Sequence, residues 1–304
     1  MRLLVTALWY EWTTAMRPLA ILLTTLVLLT GCGEAASPDS DASATRTEQT
    51  TTAVDRRPGD DLASIVEMVD GDTIVVEVAG ERELVRIIGI NAPERGECLA
   101  AEAGRRLQEL VAGRDVELVP DRSDRDRYGR LLRYVEADGV DVGAELVEAG
   151  LALARRYPPD TARADGYDAL QREAADAGAG LWAPDACGAV ATDADVVISA
   201  IRFDADGDDN LNLNDEWVRI TNRGDSGSDL TGWVLKDTSA THRYSFPSGF
   251  VLGAGASVTV RTGCGTDTAT DLHWCNQGSA VWNNSGDTAF LLDPAGNIVS
   301  SQDG

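Results

Sequence analysis

Two strand-like runs, close together in the chain, constrain the fold most strongly. Residues 73–78 are rich in β-branched side chains, and residues 84–90 are mostly Val, Ile and Leu, with Arg86 as the charged position. Both patterns are typical of β-strands. An Asp-Gly-Asp turn at residues 70–72 precedes the first run. If the two runs pair, acidic, amide and basic side chains meet at one end of a small sheet, namely Asp72, Arg86, Asn91 and Glu94.

Side chains of these types can support the hydrolysis of a phosphodiester bond. Oxygen ligands suit a hard cation such as Ca²⁺. A carboxylate that is not a metal ligand can take a proton from water, and a guanidinium can bind phosphate through two parallel hydrogen bonds. Asp-Gly-Asp is, however, most often only a turn, so this stretch does not establish an enzyme by itself.

Segments further along the chain extend the pattern. The runs VDGDTIVV, VRIIGINAPE, DRYGRLLRYV, GAELVEAGLA and GLW occur in this order between residues 62 and 187. In order and spacing they resemble the staphylococcal nuclease-like (thermonuclease) family. The resemblance implies a nuclease that uses Ca²⁺. It also implies Glu94 as general base, Arg86 and Arg130 as phosphate-binding arginines, and Tyr128 as a residue lining the nucleotide pocket.

The same resemblance implies a metal site formed by Asp72, Asn91 and the carbonyl oxygen of Ala92. Asn91 departs from the family pattern, which has an acid at this position. The amide still offers an oxygen but removes one negative charge, and Ca²⁺ affinity follows the charge of the ligands. We therefore expect weaker Ca²⁺ binding, with Asp70 as the nearby acid that could compensate.

The surrounding sequence predicts the elements that carry this site. Apolar spacing indicates strands near 64–69, 73–78, 84–90, 115–119 and 131–136, and helices near 99–111, 142–149 and 161–177. This order is similar to the OB-fold, whose barrel face and loops commonly bind oligonucleotides.

A second domain is predicted over residues 195–304. Helical patterns end there, and Asn, Gly, Ser and Thr separate short strands near 196–200, 216–221, 232–236, 257–261 and 288–292. This spacing favours an antiparallel β-sandwich. The runs EWVRITN, DLTGWVLKD and GDTAFLLDPAGNIVSS resemble the lamin-tail domain, an immunoglobulin-like module. The predicted fold is therefore multidomain: an α+β OB-fold barrel with helices over 62–187, a linker at 188–194, and an all-β immunoglobulin-like sandwich.

The N-terminal residues predict export. An apolar run at residues 19–29 follows a positive charge and ends in Leu-Thr-Gly-Cys, which resembles a bacterial lipoprotein signal cleaved before Cys32. A membrane-spanning helix is the alternative, but the run is short for a hydrocarbon core that needs about 20 residues. We expect Cys32 to be lipidated, which anchors a protein on a membrane without spanning it.

The expected processing leaves a tethered protein. Residues 1–31 are the predicted signal peptide, with Met1 or Met16 as the start. Residues 32–61 contain almost no large apolar side chain and are predicted to be a disordered tether. The expected location is the outward face of the cell membrane, or the extracellular space if the protein is released.

The other cysteines agree with an oxidising compartment. Four remain, an even number in a chain with an export signal, and they permit three pairings. Their distribution over the two predicted domains favours Cys98 with Cys187 and Cys264 with Cys275. A zinc site is the alternative, but the chain has no CxxC, and its two histidines are not at ligand spacing.

The formal charge of −24 argues against a protein that holds DNA through a basic surface. It is compatible with an enzyme that binds its substrate only at a small site.

The leading hypothesis is a monomeric, surface-anchored, Ca²⁺-dependent nuclease. It acts on DNA without base specificity, and RNA is a second candidate substrate. The alternative is a noncatalytic surface lipoprotein that binds nucleic acid or envelope components, and Asn91 favours it. No protein partner is identifiable.

Overall fold

The computed structural model describes residues 62–189, 195–276 and 279–304. The predicted signal peptide, Cys32 and the predicted tether lie outside the described residues. Among the residues that are described, no helix is both long enough and apolar enough to cross a membrane.

A closed barrel forms the N-terminal part of the described chain. Its strands and the short strands beside it are Leu62–Met68 (β1), Thr73–Val78 (β2), Glu81–Ile87 (β3), Ile90–Asn91 (β4), Asp115–Val119 (β5), Leu131–Ala137 (β6), Val140–Asp141 (β7) and Leu153–Ala154 (β8). The order is β3-β2-β1-β5-β6-β7, and β3 also pairs with β6 in parallel. This last pairing joins the sheet to itself, so the five long strands have no free edge.

Three helices pack around the barrel, namely Ala100–Val111 (α1), Val142–Glu148 (α2) and Ala164–Ala177 (α3). Ala103, Leu107 and Val111 are buried along one face of α1, at the spacing that a helix needs to cover a core. Asp141 begins α2 by accepting a hydrogen bond from the Ala144 N–H at 3.1 Å. The predicted OB-type barrel with helices is confirmed.

The predicted strand at 84–90 is wrong in one respect that matters for the site. It ends at Ile87, and the chain turns at Gly89, whose φ of 83° is in the left-handed region. A Cβ atom at Gly89 would lie 2.6 Å from the Tyr167 ring, so a larger residue does not fit. Beyond this turn β4 pairs with β8, which brings Asn91 opposite Leu153.

The second part of the described chain is all-β. Its strands are Val196–Arg202 (β9), Trp217–Asn222 (β10), Ser228–Asp229 (β11), Val234–Lys236 (β12), Arg243–Ser245 (β13), Val251–Leu252 (β14), Ser257–Arg261 (β15), Asp271–His273 (β16), Thr288–Leu292 (β17) and Ile298–Asp303 (β18). Two four-stranded sheets, β16-β15-β10-β9 and β13-β12-β17-β18, enclose one apolar core that includes Trp233 and Phe246. The predicted immunoglobulin-like sandwich is confirmed, although β15 and β16 pair in parallel.

The barrel and the sandwich share a small apolar junction. Leu153 and Leu181 from the first part pack with Phe290 and Leu292 of β17. The predicted disulfide between Cys98 and Cys187 is present beside this junction, and the Cys187 N–H donates to Asn297 Oδ1 at 2.8 Å. The predicted pairing of Cys264 with Cys275 is also present.

We expect removal of the Cys98–Cys187 disulfide by Cys98→Ala with Cys187→Ala to lower the free energy of unfolding by about 2–5 kcal/mol. The two residues are 89 positions apart, so the bond restricts a long segment of the unfolded chain. Denaturant unfolding followed by tryptophan fluorescence measures the change. The matched control, Cys264→Ala with Cys275→Ala, opens a segment of only 11 positions and should cost less. Equal losses would contradict the argument from chain entropy.

Candidate active site

Asp72 lies at the centre of the site, in the turn between β1 and β2. Its side chain is buried, with only 4 % of the residue exposed. Oδ2 accepts a hydrogen bond from the Ala92 N–H at 2.8 Å, and Oδ1 accepts one from the Thr73 hydroxyl at 3.0 Å. A Cβ atom at Gly71 would lie 2.6 Å from the Cβ of Ala92. The close approach of the turn to the loop around Ala92 therefore requires glycine at this position.

Arg86 on β3 links Asp72 to Asn91. Its Nη2 atom lies 3.0 Å from Asp72 Oδ2 and donates to Asn91 Oδ1 at 3.2 Å. The guanidinium also donates to the carbonyl oxygens of Ile87 and Ile90. Burial lowers the pKa of Arg86 and the charge of Asp72 raises it. Four of the predicted residues, Asp72, Arg86, Asn91 and Ala92, are thus brought into one hydrogen-bonded group.

Glu94 lies near this group, on the loop after β4. Burial raises its pKa, and the charges of Asp72 and Asp70 raise it further. Burial likewise raises the pKa of Asp72, while Arg86 opposes the rise and Asp70 adds to it. A carboxyl group with a raised pKa is a better proton acceptor once it is ionised, which suits Glu94 to a general base.

Arg130 and Tyr128 lie together on the turn before β6. Arg130 Nε pairs with Asp126 Oδ2 at 2.7 Å, and its guanidinium carbon is 5.6 Å from the centroid of the Tyr128 ring. The ring is exposed, and 69 % of Tyr128 is accessible to solvent. The charge of Arg130 contributes to lowering the pKa of Arg86, after burial and the charge of Arg155. The backbone turns at Gly129, the residue before Arg130, with φ of 83°.

The oxygen atoms of the site fit a hard cation. Among the described residues, no three His, Cys, Asp or Glu side chains form a ready-made metal cluster. The predicted set consists of one carboxylate, one amide and one carbonyl oxygen, all of which are ligand types that Ca²⁺ accepts. The charges of Asp72, Asp70 and Glu97 add to the effect of burial in raising the pKa of Glu94, and Asp70 also raises the pKa of Asp72, which indicates an excess of negative charge around one arginine. A cation bound there would offset this repulsion.

The sequence analysis did not identify Arg155, which also belongs to this region. It directly follows β8, and its N–H donates to the Gly89 carbonyl at 2.8 Å. Its charge lowers the pKa of Arg86, and its guanidinium carbon lies 5.2 Å from the centroid of the exposed Tyr157 ring. Arg155 reaches this region because β4 pairs with β8. Each of these strands has only two residues, too few to produce a periodic pattern in the sequence.

Comparison with known proteins agrees with this geometry. Residues 84–184 match the family described as staphylococcal nuclease homologue, and residues 189–303 match the lamin tail domain. Endonuclease YncB from Bacillus subtilis is 36 % identical over 122 residues, which are 38 % of this chain and 58 % of the relative. The thermonuclease from Staphylococcus intermedius is 30 % identical over 124 residues, which are 39 % of this chain and 74 % of the relative.

The match covers only part of some relatives. The SPbeta prophage-derived endonuclease YokF from Bacillus subtilis is 38 % identical over 122 residues, but these make up only 41 % of its length. The chain therefore spans about half the length of the Bacillus subtilis relatives that it matches.

We expect Asp72→Asn to lower the free energy of unfolding by about 3 kcal/mol, because the substitution leaves the buried Arg86 charge without its carboxylate. Denaturant unfolding at low ionic strength and neutral pH measures the loss. Glu102→Gln is the control, since it removes an acid whose ion pair with Arg105 is exposed. That variant should cost less than about 1 kcal/mol. Similar losses in both variants would show that the buried pair has no special role.

Proposed function

Because the chain belongs to the staphylococcal nuclease family, we propose that it is a nuclease that hydrolyses phosphodiester bonds of DNA without base specificity. RNA is the second candidate substrate. The observation that supports this proposal most directly is the hydrogen-bonded group of Asp72, Arg86 and Asn91, with Glu94 and Arg130 beside it. Arginines at such positions bind the phosphate backbone and do not read bases.

The proposed reaction assigns a role to three side chains. Glu94 takes a proton from the attacking water, and its raised pKa suits this role. Arg86 and Arg130 bind the oxygens of the scissile phosphate and stabilise the negative charge that develops on them. Both guanidinium groups pair with an aspartate in the structure, Asp72 and Asp126 respectively. A phosphate therefore competes with these carboxylates for the same N–H groups.

Ca²⁺ is the proposed cofactor, with Asp72, Asn91 and the Ala92 carbonyl as the residues that would hold it. When bound, the cation supplies positive charge to the phosphate oxygens. Because Asn91 contributes no charge, we expect the site to need a higher concentration of Ca²⁺ than a site with two carboxylates would.

We expect Glu94→Gln to slow the hydrolysis of single-stranded DNA by about 10²–10⁴-fold, because the amide cannot accept the proton from water. The rate is measured with purified protein while Ca²⁺ is titrated against EDTA. The parent should become active with Ca²⁺ and inactive with chelator. Glu102→Gln, which changes an exposed helical acid in the same way, should keep the parental rate.

The second candidate function is a noncatalytic module that binds nucleic acid or envelope components. The replacement of an acid by Asn91 is the feature that favours it. Equal rates of DNA degradation by the parent and by Glu94→Gln would exclude the proposed role of Glu94. A folded, disulfide-bonded parent that stays inactive in millimolar Ca²⁺ would favour the binding module.

We further propose that the protein is exported and held on the outer face of the cell membrane by a lipid on Cys32. The Leu-Thr-Gly-Cys sequence at the end of the apolar run supports this proposal. Cells that express the chain should incorporate an alkyne-tagged fatty acid into it, and the protein should sediment with membranes. Cys32→Ser should abolish the labelling, whereas labelling that survives this substitution would contradict lipidation at this residue.

A further inference from the structure

A cavity of about 270 Å³ lies between the barrel and the sandwich, directly beside the candidate active site. Asn91, Glu97 and Leu153 line it from the barrel, and Lys236 and Phe290 line it from the sandwich. Lys236 is the only lysine in the chain. It lies on β12 opposite Arg243 of β13 and Phe290 of β17, so the three side chains share the face that meets the barrel.

The ammonium group of Lys236 is buried and forms no ion pair with any described residue, although the carboxylates of Glu97 and Asp237 lie near enough to act on its charge. Only 7 % of the residue is exposed. Within the part of the chain that the structure describes, the ammonium makes one cation–π contact. Its partner is the Phe290 ring, whose centroid is 5.8 Å from Nζ. Burial lowers the pKa of Lys236 to about 8. A buried ammonium without hydrogen-bond acceptors is unfavourable, so an anion in the cavity would be bound strongly.

The acids that line the same cavity are already engaged. Glu97 accepts a hydrogen bond from the Glu94 N–H at 3.0 Å and pairs with Arg243. Asp293 accepts three hydrogen bonds within its own turn, from the N–H groups of Ala295 and Asn297 and from the Asn297 amide. The ammonium of Lys236 therefore lines the cavity with donors that no described acid uses, next to Arg243, whose Nη2 pairs with Glu97.

Positive charges connect this cavity to the candidate active site. The charges of Arg130 and Arg155 lower the pKa of Arg86, and the charge of Arg155 also lowers the pKa of Lys236. Arg130, Arg86 and Arg155 of the barrel and Lys236 and Arg243 of the sandwich therefore lie in one region where their charges act on one another. On a chain with a net charge of −24, such a group of cations is suited to a phosphate backbone.

We propose that Lys236 forms a phosphate-binding subsite at the domain junction, which holds a second phosphate of the nucleic-acid strand next to the one that is hydrolysed. The inference rests on the proposed nuclease function for the identity of the ligand. It gives the sandwich a direct part in substrate binding, because the subsite does not exist in the barrel alone.

The single lysine makes the first test specific. Protein grown with lysine labelled at ¹³Cε gives one lysine ¹³Cε signal, from Lys236, so its pH titration can be followed directly. Without ligand the titration should be centred near pH 8. A short single-stranded oligonucleotide, added with EDTA to the slowed Glu94→Gln protein, should raise this midpoint by at least about one pH unit. An unchanged midpoint at saturating oligonucleotide would overturn the subsite.

The second test measures affinity and its dependence on salt, also in the Glu94→Gln background. Lys236→Met keeps the length of the side chain but removes the charge. It should weaken oligonucleotide binding about tenfold or more, because a charge-assisted hydrogen bond is lost. It should also reduce the slope of log K against log salt by about 0.7. Lys236→Arg should keep most of the affinity and the parental slope.

The matched control is Arg219→Met, which removes one exposed positive charge from the other sheet of the sandwich. It should change neither the affinity nor the slope.

Thermal unfolding completes the test: Lys236→Met should unfold at the same or a higher temperature than the parent, since it removes an unpaired buried charge. If Lys236→Met unfolds at a lower temperature than the parent and its binding has an unchanged salt slope, Lys236 has a structural role and the proposal is wrong.

The outcomes separate this proposal from the proposed function. If the parent cleaves DNA and Lys236→Met binds like its background, the nuclease function holds and the subsite does not. If the parent fails to cleave DNA but Lys236→Met loses binding, the subsite holds and the nuclease function does not.

Inorganic phosphate serves as a separate probe. If it shifts the Lys236 titration and the oligonucleotide does not, the ligand is free phosphate and the assignment to a nucleic-acid strand is overturned.

Discussion

The buried contact between Asp72 and Arg86 is the interaction on which the rest of the site depends. It joins the turn before β2 to strand β3, and Asp72 also fixes the loop at Ala92 through its N–H. Three separate segments of backbone thereby converge at one end of the barrel. Neither charge is stable there alone, because a buried ion without its partner is costly. The same pair that organises the fold locally therefore also preorganises the groups that would bind phosphate.

The sandwich is a structural neighbour of this site. Its outer sheet face packs Phe290 and Leu292 against Leu153 and Leu181 of the barrel, and the Cys98–Cys187 disulfide lies at the edge of this contact. The Asn91–Glu97 loop borders the same junction. Leu153, which packs in the junction, is also the β8 residue that pairs with Asn91 of β4. The sandwich thus lies beside Asn91, the residue that departs from the nuclease pattern.

Sequence reasoning succeeded where a local pattern determines a local structure. The β-branched run at Thr73–Val78 and the apolar face of α1 follow from periodicity, and both are present. It failed where long-range contacts decide. Arg133 lies among several arginines and aspartates of one loop, a composition typical of a solvated segment, but the residue is only 6 % exposed and donates to Asp124. Arg155 and Lys236 acquire their positions from strand pairings and a domain contact, and neither leaves a periodic signal.

The distribution of charge reconciles an acidic protein with an anionic substrate. Nonspecific affinity for nucleic acid comes from many cationic contacts that release counterions, and a net charge of −24 prevents this kind of binding over most of the surface. The two arginines that we propose to bind phosphate are instead held within ion pairs, Arg86 with Asp72 and Arg130 with Asp126. Each pair keeps its guanidinium oriented until a phosphate replaces the carboxylate. On the proposed function, binding would then be confined to the positions where a phosphate can reach these guanidinium groups.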